Sequence, residues 1–245
     1  ELQKKKQPFF CVAPMADVTD AAFRRLITKY GKPDVMWTEF VSANGLMSAG
    51  RAVLKRDLEY SEGERPIVAQ LFSSDPVMME GAARLAAELG FDGIDINMGC
   101  PDKTIEKQGA GAAMIKTPEK ALEIIRAAKR GIDQAVARSA SRRIPVSVKT
   151  RVGYSDVQID TWIPMLLAEG ISALTVHART RKDLSLVPAN WGYLKRVVEL
   201  RDKLAPETVI IGNGDVTSLA DGRAKAVHSG VQRAGLFPDF VFSTR

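Results

Sequence analysis

A chain of 245 residues with 45% hydrophobic and 26% charged residues can bury one large core and is too apolar for a disordered segment. Two cysteines exclude a disulfide framework and point to a reducing, cytoplasmic setting, and no apolar run approaches the roughly 18 residues of a membrane span. The net charge of +6 is compatible with a polyanionic partner such as RNA, although Lys4-Lys5-Lys6 and Arg142-Arg143 read more simply as solvated surface.

Residues 1–8 form a basic tail without the apolar core of a signal peptide. The chain begins without methionine, which suggests a piece of a longer protein. A first apolar run, 9–14, reads as a strand closed by Pro14-Met15. Thr19 or Asp20 opens a helix that ends near Gly31. Strands follow over 35–40 and 67–71. Asp75 caps a helix over 76–89, with Pro76 in its first turn and Gly90 at its end. The run 93–97 is a fourth strand. Thr117-Pro118-Glu119 opens a helix to about Arg130, closed by Gly131, and the polar stretch 133–143 reads as a surface insertion. Further strands lie at 146–150, 173–177 and 209–212. Strands alternating with helices predict a parallel sheet with helices outside. A closed barrel needs eight strands, and 231–238, where the eighth belongs, is a poor central strand. The expectation is an α/β, TIM (β/α)8-type barrel over 9–230, incomplete at the eighth strand, with a divergent tail over 231–245.

Polar residues gather at the C-terminal ends of these strands, where barrels build their sites. They are Pro14-Met15, Glu39, Gln70, Asn97, Lys149, His177 and Asn213-Gly214-Asp215. Any one alone is explained as a hydrogen-bonded structural residue; the set is not. Lys149 follows Val146-Ser147-Val148, where a buried amine is costly unless paired, and a cation there suits an anionic ligand such as a reduced flavin or a phosphate. His177 stands beside Arg179 and Arg181, which favours ligand binding over a structural role. Cys11, inside Phe9-Phe10-Cys11-Val12, reads as a small buried hydrophobe. Cys100 does not, because Gly99 and Pro101 bend the backbone around it and display the thiol. Scarce histidines and the absence of a neighbouring cysteine argue against a metal site. Gly109-Ala110-Gly111-Ala112 is no nucleotide fingerprint; it reads as close backbone packing or a flexible substrate loop.

Ala13-Pro14-Met15-Ala16, Thr38-Glu39, Gln70-Leu71, Asn97-Met98-Gly99-Cys100-Pro101, Gly109-Ala110-Gly111-Ala112, Val148-Lys149-Thr150-Arg151, His177-Ala178-Arg179-Thr180 and Asn213-Gly214-Asp215 together resemble the dihydrouridine synthase family, flavoenzymes that reduce uridines in tRNA. The resemblance covers roughly residues 9–230, and its Asn-x-Gly-Cys-Pro element is the specific part. It implies an FMN-binding TIM barrel reduced by NADPH (or NADH), with tRNA as substrate and no stable protein partner. Pro14, Met15 and Ala16 would hold the flavin through backbone groups, and Gln70 and Lys149 would contact its ring. His177, Asn213, Gly214 and Asp215 would help hold the ring, ribityl chain and phosphate region. Asn97 would orient the uracil, and Arg179 and Arg181 would contact RNA or phosphate. Hydride would reach C6 of the uracil and Cys100 would protonate C5 as a general acid, on a base taken out of its stack. The sequence departs from the family pattern after Gly230: the strand and Gly-Arg pair that grip the FMN phosphate are not found, nor is the C-terminal helical domain that binds tRNA. Two other readings stand beside this one: a related FMN barrel acting on a free pyrimidine, and a non-catalytic truncated paralogue.

Overall fold

The computed structural model describes residues 9–139 and 142–231. The chain order is α1 (Ala21–Gly31), β1 (Met36–Ser42), the short turns α2 (Ala43–Leu46) and α3 (Arg51–Leu54), β2 (Ile67–Phe72), α4 (Pro76–Glu88), β3 (Gly93–Met98), α5 (Lys103–Lys107), α6 (Pro118–Ser139), β4 (Val146–Arg151), α7 (Ile159–Ala168), β5 (Ala173–His177), α8 (Gly192–Leu204), β6 (Val209–Asn213) and α9 (Leu219–Ser229). The six strands pair in sequence order, each parallel to the next. This is the wall of a TIM-type α/β barrel. Its two edges approach one another: Trp37 of β1 and Val209 and Ile211 of β6 share one apolar cluster with Phe9, Cys11 and Ala13.

Alternation along each strand sorts the residues. Ile94, Ile96, Val146, Val148, Leu174 and Val176 turn outward into the large core shared with α4, α6 and α7. The inward positions are polar toward the C-terminal end. Helix starts follow the caps read from the sequence. The Asp20 carboxylate accepts from the Phe23 N–H at 2.7 Å, and Asp75 accepts from Val77 and Met78.

Two expectations are corrected. The run 9–14 is not an extended strand; its pairing includes a parallel bridge from Cys11 to Val35. Its Phe10 backbone instead bonds Asp34, the N–H donating to the carboxylate and the carbonyl accepting from the Asp34 N–H. Gly131 does not end its helix, because α6 runs on to Ser139, so most of the expected insertion 133–143 is helical. Ile132 and Ala135 are buried and continue the stripe of Ala121, Ile124, Ile125 and Ala128. Gly131 lies where α6 crosses α4, and a Cβ there would overlap the Glu80 carbonyl. Residues 1–8 and 232–245, with the expected basic tail, the eighth-strand segment and most of the divergent tail, lie outside the described residues.

Candidate active site

Register builds the site in tiers. Gln70, Asp95 and Ser147 stand side by side on β2, β3 and β4. Above them Asn97, Lys149 and Thr175 align on β3, β4 and β5. Nearest the C-terminal mouth are Arg151, His177 and Asn213. The period of two puts all nine on the inner face.

The lower tiers are joined by hydrogen bonds. Asp95 is fully buried and accepts from Gln70 Nε2 and from Ser147 Oγ, each at 2.5 Å. Burial pushes its carboxyl up to about 6, against the lowering effect of those two bonds and of Lys149. Gln70 Oε1 accepts from Asn97 Nδ2 at 3.1 Å. Asn97 Oδ1 accepts from the backbone N–H groups of Gly99 (3.1 Å) and Cys100 (2.9 Å).

That last pair of bonds shapes the turn carrying Cys100, which is partly exposed and packs against Phe72, Ile105 and Ala110. Burial pushes its thiol above the ordinary range, so it is a protonated thiol at neutral pH. Arg151, quoted in the sequence motif but given no role there, donates from Nε to Gly99 O at 2.8 Å and from Nη1 to the carbonyls of Thr180 and Leu184. The 109–112 motif resolves as close packing. Ala112 N–H donates to Cys100 O at 2.9 Å. Gly111 has φ +61°, and a Cβ on it would lie 2.7 Å from that same oxygen.

At the mouth His177 is buried, and burial holds its imidazole neutral, with Arg151, Lys149 and Arg179 acting in the same direction. Arg179 Nη1 lies 3.0 Å from His177 Nε2. A guanidinium only donates, so Nε2 accepts and the proton sits on Nδ1. Arg179 also bonds Val187 O at 2.6 Å and Asp215 Oδ1 at 2.5 Å. Burial raises the Asp215 carboxyl, but the Ala189 N–H and Arg179 outweigh it and hold the group below the usual range. Gly214 has φ +123°, open to glycine, and a Cβ there would crowd Ala189 and the His177 ring. Arg181 pairs with Glu106 at 2.9 Å and lies over the Tyr154 ring.

The chain matches the dihydrouridine synthase (Dus) family model over residues 11–234. It belongs to the dihydrouridine synthase family. It is 39% identical over 227 residues to the probable tRNA-dihydrouridine synthase 2 of Bacillus subtilis (strain 168), and 37% identical to a probable tRNA-dihydrouridine synthase of Staphylococcus epidermidis (strain RP62A). Each match covers 92% of this chain but 66% of the relative, so the chain spans less than two thirds of those proteins. Among solved structures, DHODH from Eimeria tenella aligns with a TM-score of 0.59 at 14% identity, covering 92% of this chain and 74% of that one. A 2,3-dimethylmalate lyase aligns at 0.58 and 15%, covering 97% and 75%. These two likenesses show the fold alone.

Within this dihydrouridine synthase barrel, Gln70, Asn97, Cys100, Lys149, His177, Asn213, Gly214 and Asp215 converge on the C-terminal end. Pro14 is buried, Met15 is half-buried and Ala16 is exposed. The Met15 carbonyl accepts from the N–H groups of Val18 and Thr19, and its N–H donates to Thr19 Oγ1. Arg179 lies inside, committed to His177 and Asp215, and Arg181 is at the rim beside the Cys100 loop. Asp95, Ser147 and Arg151 were given no role by the sequence reading. The signal was present for each: all three share parity with an assigned neighbour, Asp95 with Asn97, and Ser147 and Arg151 with Lys149.

Among the described residues no helix is long and apolar enough to cross a membrane, and no cluster of His, Cys, Asp or Glu could hold a metal ion. An apolar pocket of about 310 Å³, lined by Phe9, Trp37, Ile94, Ala173 and Ile211 among others, lies at the opposite, N-terminal end of the barrel.

Proposed function

We propose that this chain carries the catalytic barrel of an FMN-dependent, cytoplasmic tRNA-dihydrouridine synthase that reduces the C5=C6 bond of uridine at the expense of NADPH or NADH. The observation that carries the reading is the Cys100 turn. A thiol kept protonated by burial is displayed at the C-terminal end of β3, one turn from Asn97 and beside a strand bearing Lys149.

The donor set fits a flavin. The mouth offers a cation (Lys149), amides (Gln70, Asn97, Asn213), a neutral imidazole and a close backbone approach at Gly214. Bound FMN would supply the hydride for C6 of the uracil. Lys149 would stabilise negative charge on the ring, with Gln70 beside it. Pro14, Met15 and Ala16 would contribute backbone groups. His177, Asn213, Gly214 and Asp215 would bind the remainder of the cofactor. Asn97, whose second Nδ2 proton is not used by Gln70, would orient the uracil carbonyl. Cys100 would give its proton to C5, the base having left its RNA stack to enter the mouth. Arg179 would set the tautomer of His177 and the placement of Asp215. Arg181, at the rim, would contact RNA phosphate on exchanging Glu106 for the ligand.

Visible absorption of the purified chain with added FMN, before and after anaerobic NADPH, tests the cofactor. Dihydrouridine formation in unmodified tRNA then tests the substrate. Flavin uptake, bleaching and dihydrouridine that disappears in Cys100→Ala support the reading. Reduction of free uracil or orotate in place of tRNA would favour a free-pyrimidine enzyme. A flavin-free protein that still binds tRNA would favour a non-catalytic paralogue.

A further inference from the structure

We propose that Asp95 is a positioning residue: through Gln70 and Asn97 it dictates which way two buried amides turn, and so holds the backbone that presents Cys100. The inference deepens the proposed function, because its consequence for catalysis rests on Cys100 being the proton donor. Its structural content does not.

The network has two ends whose hydrogen-bonding sense is fixed. At one end the N–H groups of Gly99 and Cys100 can only donate, so Asn97 must turn Oδ1 to them and Nδ2 away. At the other end the two oxygens of Asp95 receive Gln70 Nε2 and Ser147 Oγ. Between them Gln70 must give Nε2 to Asp95 and Oε1 to Asn97. Turning either amide over would set donor against donor or acceptor against acceptor among side chains that are all buried. Asp95 costs burial of a carboxyl between Ile94 and Ile96, in the middle of a fully buried strand. The hydrogen bonds it accepts are what that burial secures.

An isostere separates this role from a charge effect. In Asp95→Asn the new amide can still accept from Gln70 and can donate to Ser147, whose hydroxyl already lies 3.4 Å from Ile94 O. Gln70→Glu sets a carboxylate against Asp95. In the double variant, the amide introduced at position 95 could donate to the carboxylate introduced at position 70. That carboxylate could still accept from Asn97, so the direction of the chain is restored. No merely space-filling role predicts that rescue.

The test uses the flavin-free chain and needs no tRNA. It reads the rate of Cys100 alkylation by iodoacetamide, resolved by mass spectrometry, and hydrogen exchange in the peptide containing Gly99 and Cys100. Asp95→Asn should stay within about twofold of the parent. Asp95→Leu and Gln70→Glu should each raise alkylation and exchange about fivefold or more, the scale of one lost buried hydrogen bond. D95N combined with Gln70→Glu should return to near the parent value. Should Asp95→Leu fail to fold, the Gln70→Glu single and double variants decide alone. A folded Gln70→Glu with parental alkylation and exchange would overturn the proposal, as would a double variant no better than the single. If the parent chain instead fails to form dihydrouridine while these thiol results hold, the proposed function falls and the positioning role stands.

Discussion

Cys100 and Asp95 show one physical cause producing two opposite kinds of group. Burial raises both pKa values, and the result is a thiol that keeps its proton and a carboxyl that titrates near neutrality. For Cys100, alkylation measured against pH should have its midpoint above the ordinary thiol value of about 8.5. Replacing it by Ala should lower the rate of dihydrouridine formation by about 10²–10⁴, the usual worth of a positioned general acid. For Asp95, the folded pKa of about 6 lies above the ~3.9 of an unfolded chain. The folded state then holds the proton more tightly, so this contribution is full below about pH 4 and lost as pH rises through about 6. Asp95→Asn removes that dependence. Urea unfolding should find it more stable than the parent at pH 7, by up to about 3 kcal/mol, the worth of that difference in proton affinity. The gap should close below about pH 4.

Between elements, a few contacts fix where the site-bearing loops begin. α1 is held by a fully buried pair, Arg24 to Glu64 at 2.8 Å, and the same guanidinium bonds the carbonyls of Thr19 and Glu59. Glu64→Ala leaves that cation buried with its carbonyl partners alone. It should cost about 3–5 kcal/mol in chemical denaturation, whereas a surface pair such as Arg196–Asp160 should cost under about 1. The stretch behind the Cys100 turn is equally intolerant. Gly111→Ala meets both a left-handed backbone and the Cys100 carbonyl. A loss of about 1–3 kcal/mol is expected, with faster hydrogen exchange across residues 99–112 as the local readout.

At the scale of the whole barrel, the first described segment packs between the two edges of the sheet. Phe9, Cys11 and Ala13 pack against Trp37 and the β6 residues Val209 and Ile211, and the Cys11–Val35 bridge ties them to the sheet. Phe9→Ala should therefore lower stability by about 3 kcal/mol, visible as a lower urea midpoint with an unchanged slope. Any flavin uptake at the far end should be unaffected if the fold is retained. Above that apolar floor the inward positions turn polar, from Ile211 to Asn213 on β6 and from Ala173 to Thr175 and His177 on β5. That contrast leaves an apolar pocket at one end and the polar site at the other.

Much of this was legible in the chain. Apolar runs of five or six residues separated by capped helices located all six strands to within two residues, because strand burial and helix capping are local signals. The Asn-Met-Gly-Cys-Pro turn and the polar strand ends likewise named the mouth. Local pattern misjudged Gly131, since only the approach of α4 explains a glycine inside a helix. It also promoted 9–14 to a strand, which needs neighbours that sequence does not display. The tertiary structure alone decided that Arg179 turns inward to His177 and Asp215, and that Asp95 joins Ser147 and Gln70. Those pairings span 25 to 52 residues of chain for Asp95 and 36 for Arg179–Asp215. They exist because parallel register sets β2, β3 and β4 side by side, and β5 beside β6. Composition and spacing can say that a carboxylate faces the barrel interior; which donors meet it there is settled when the strands align.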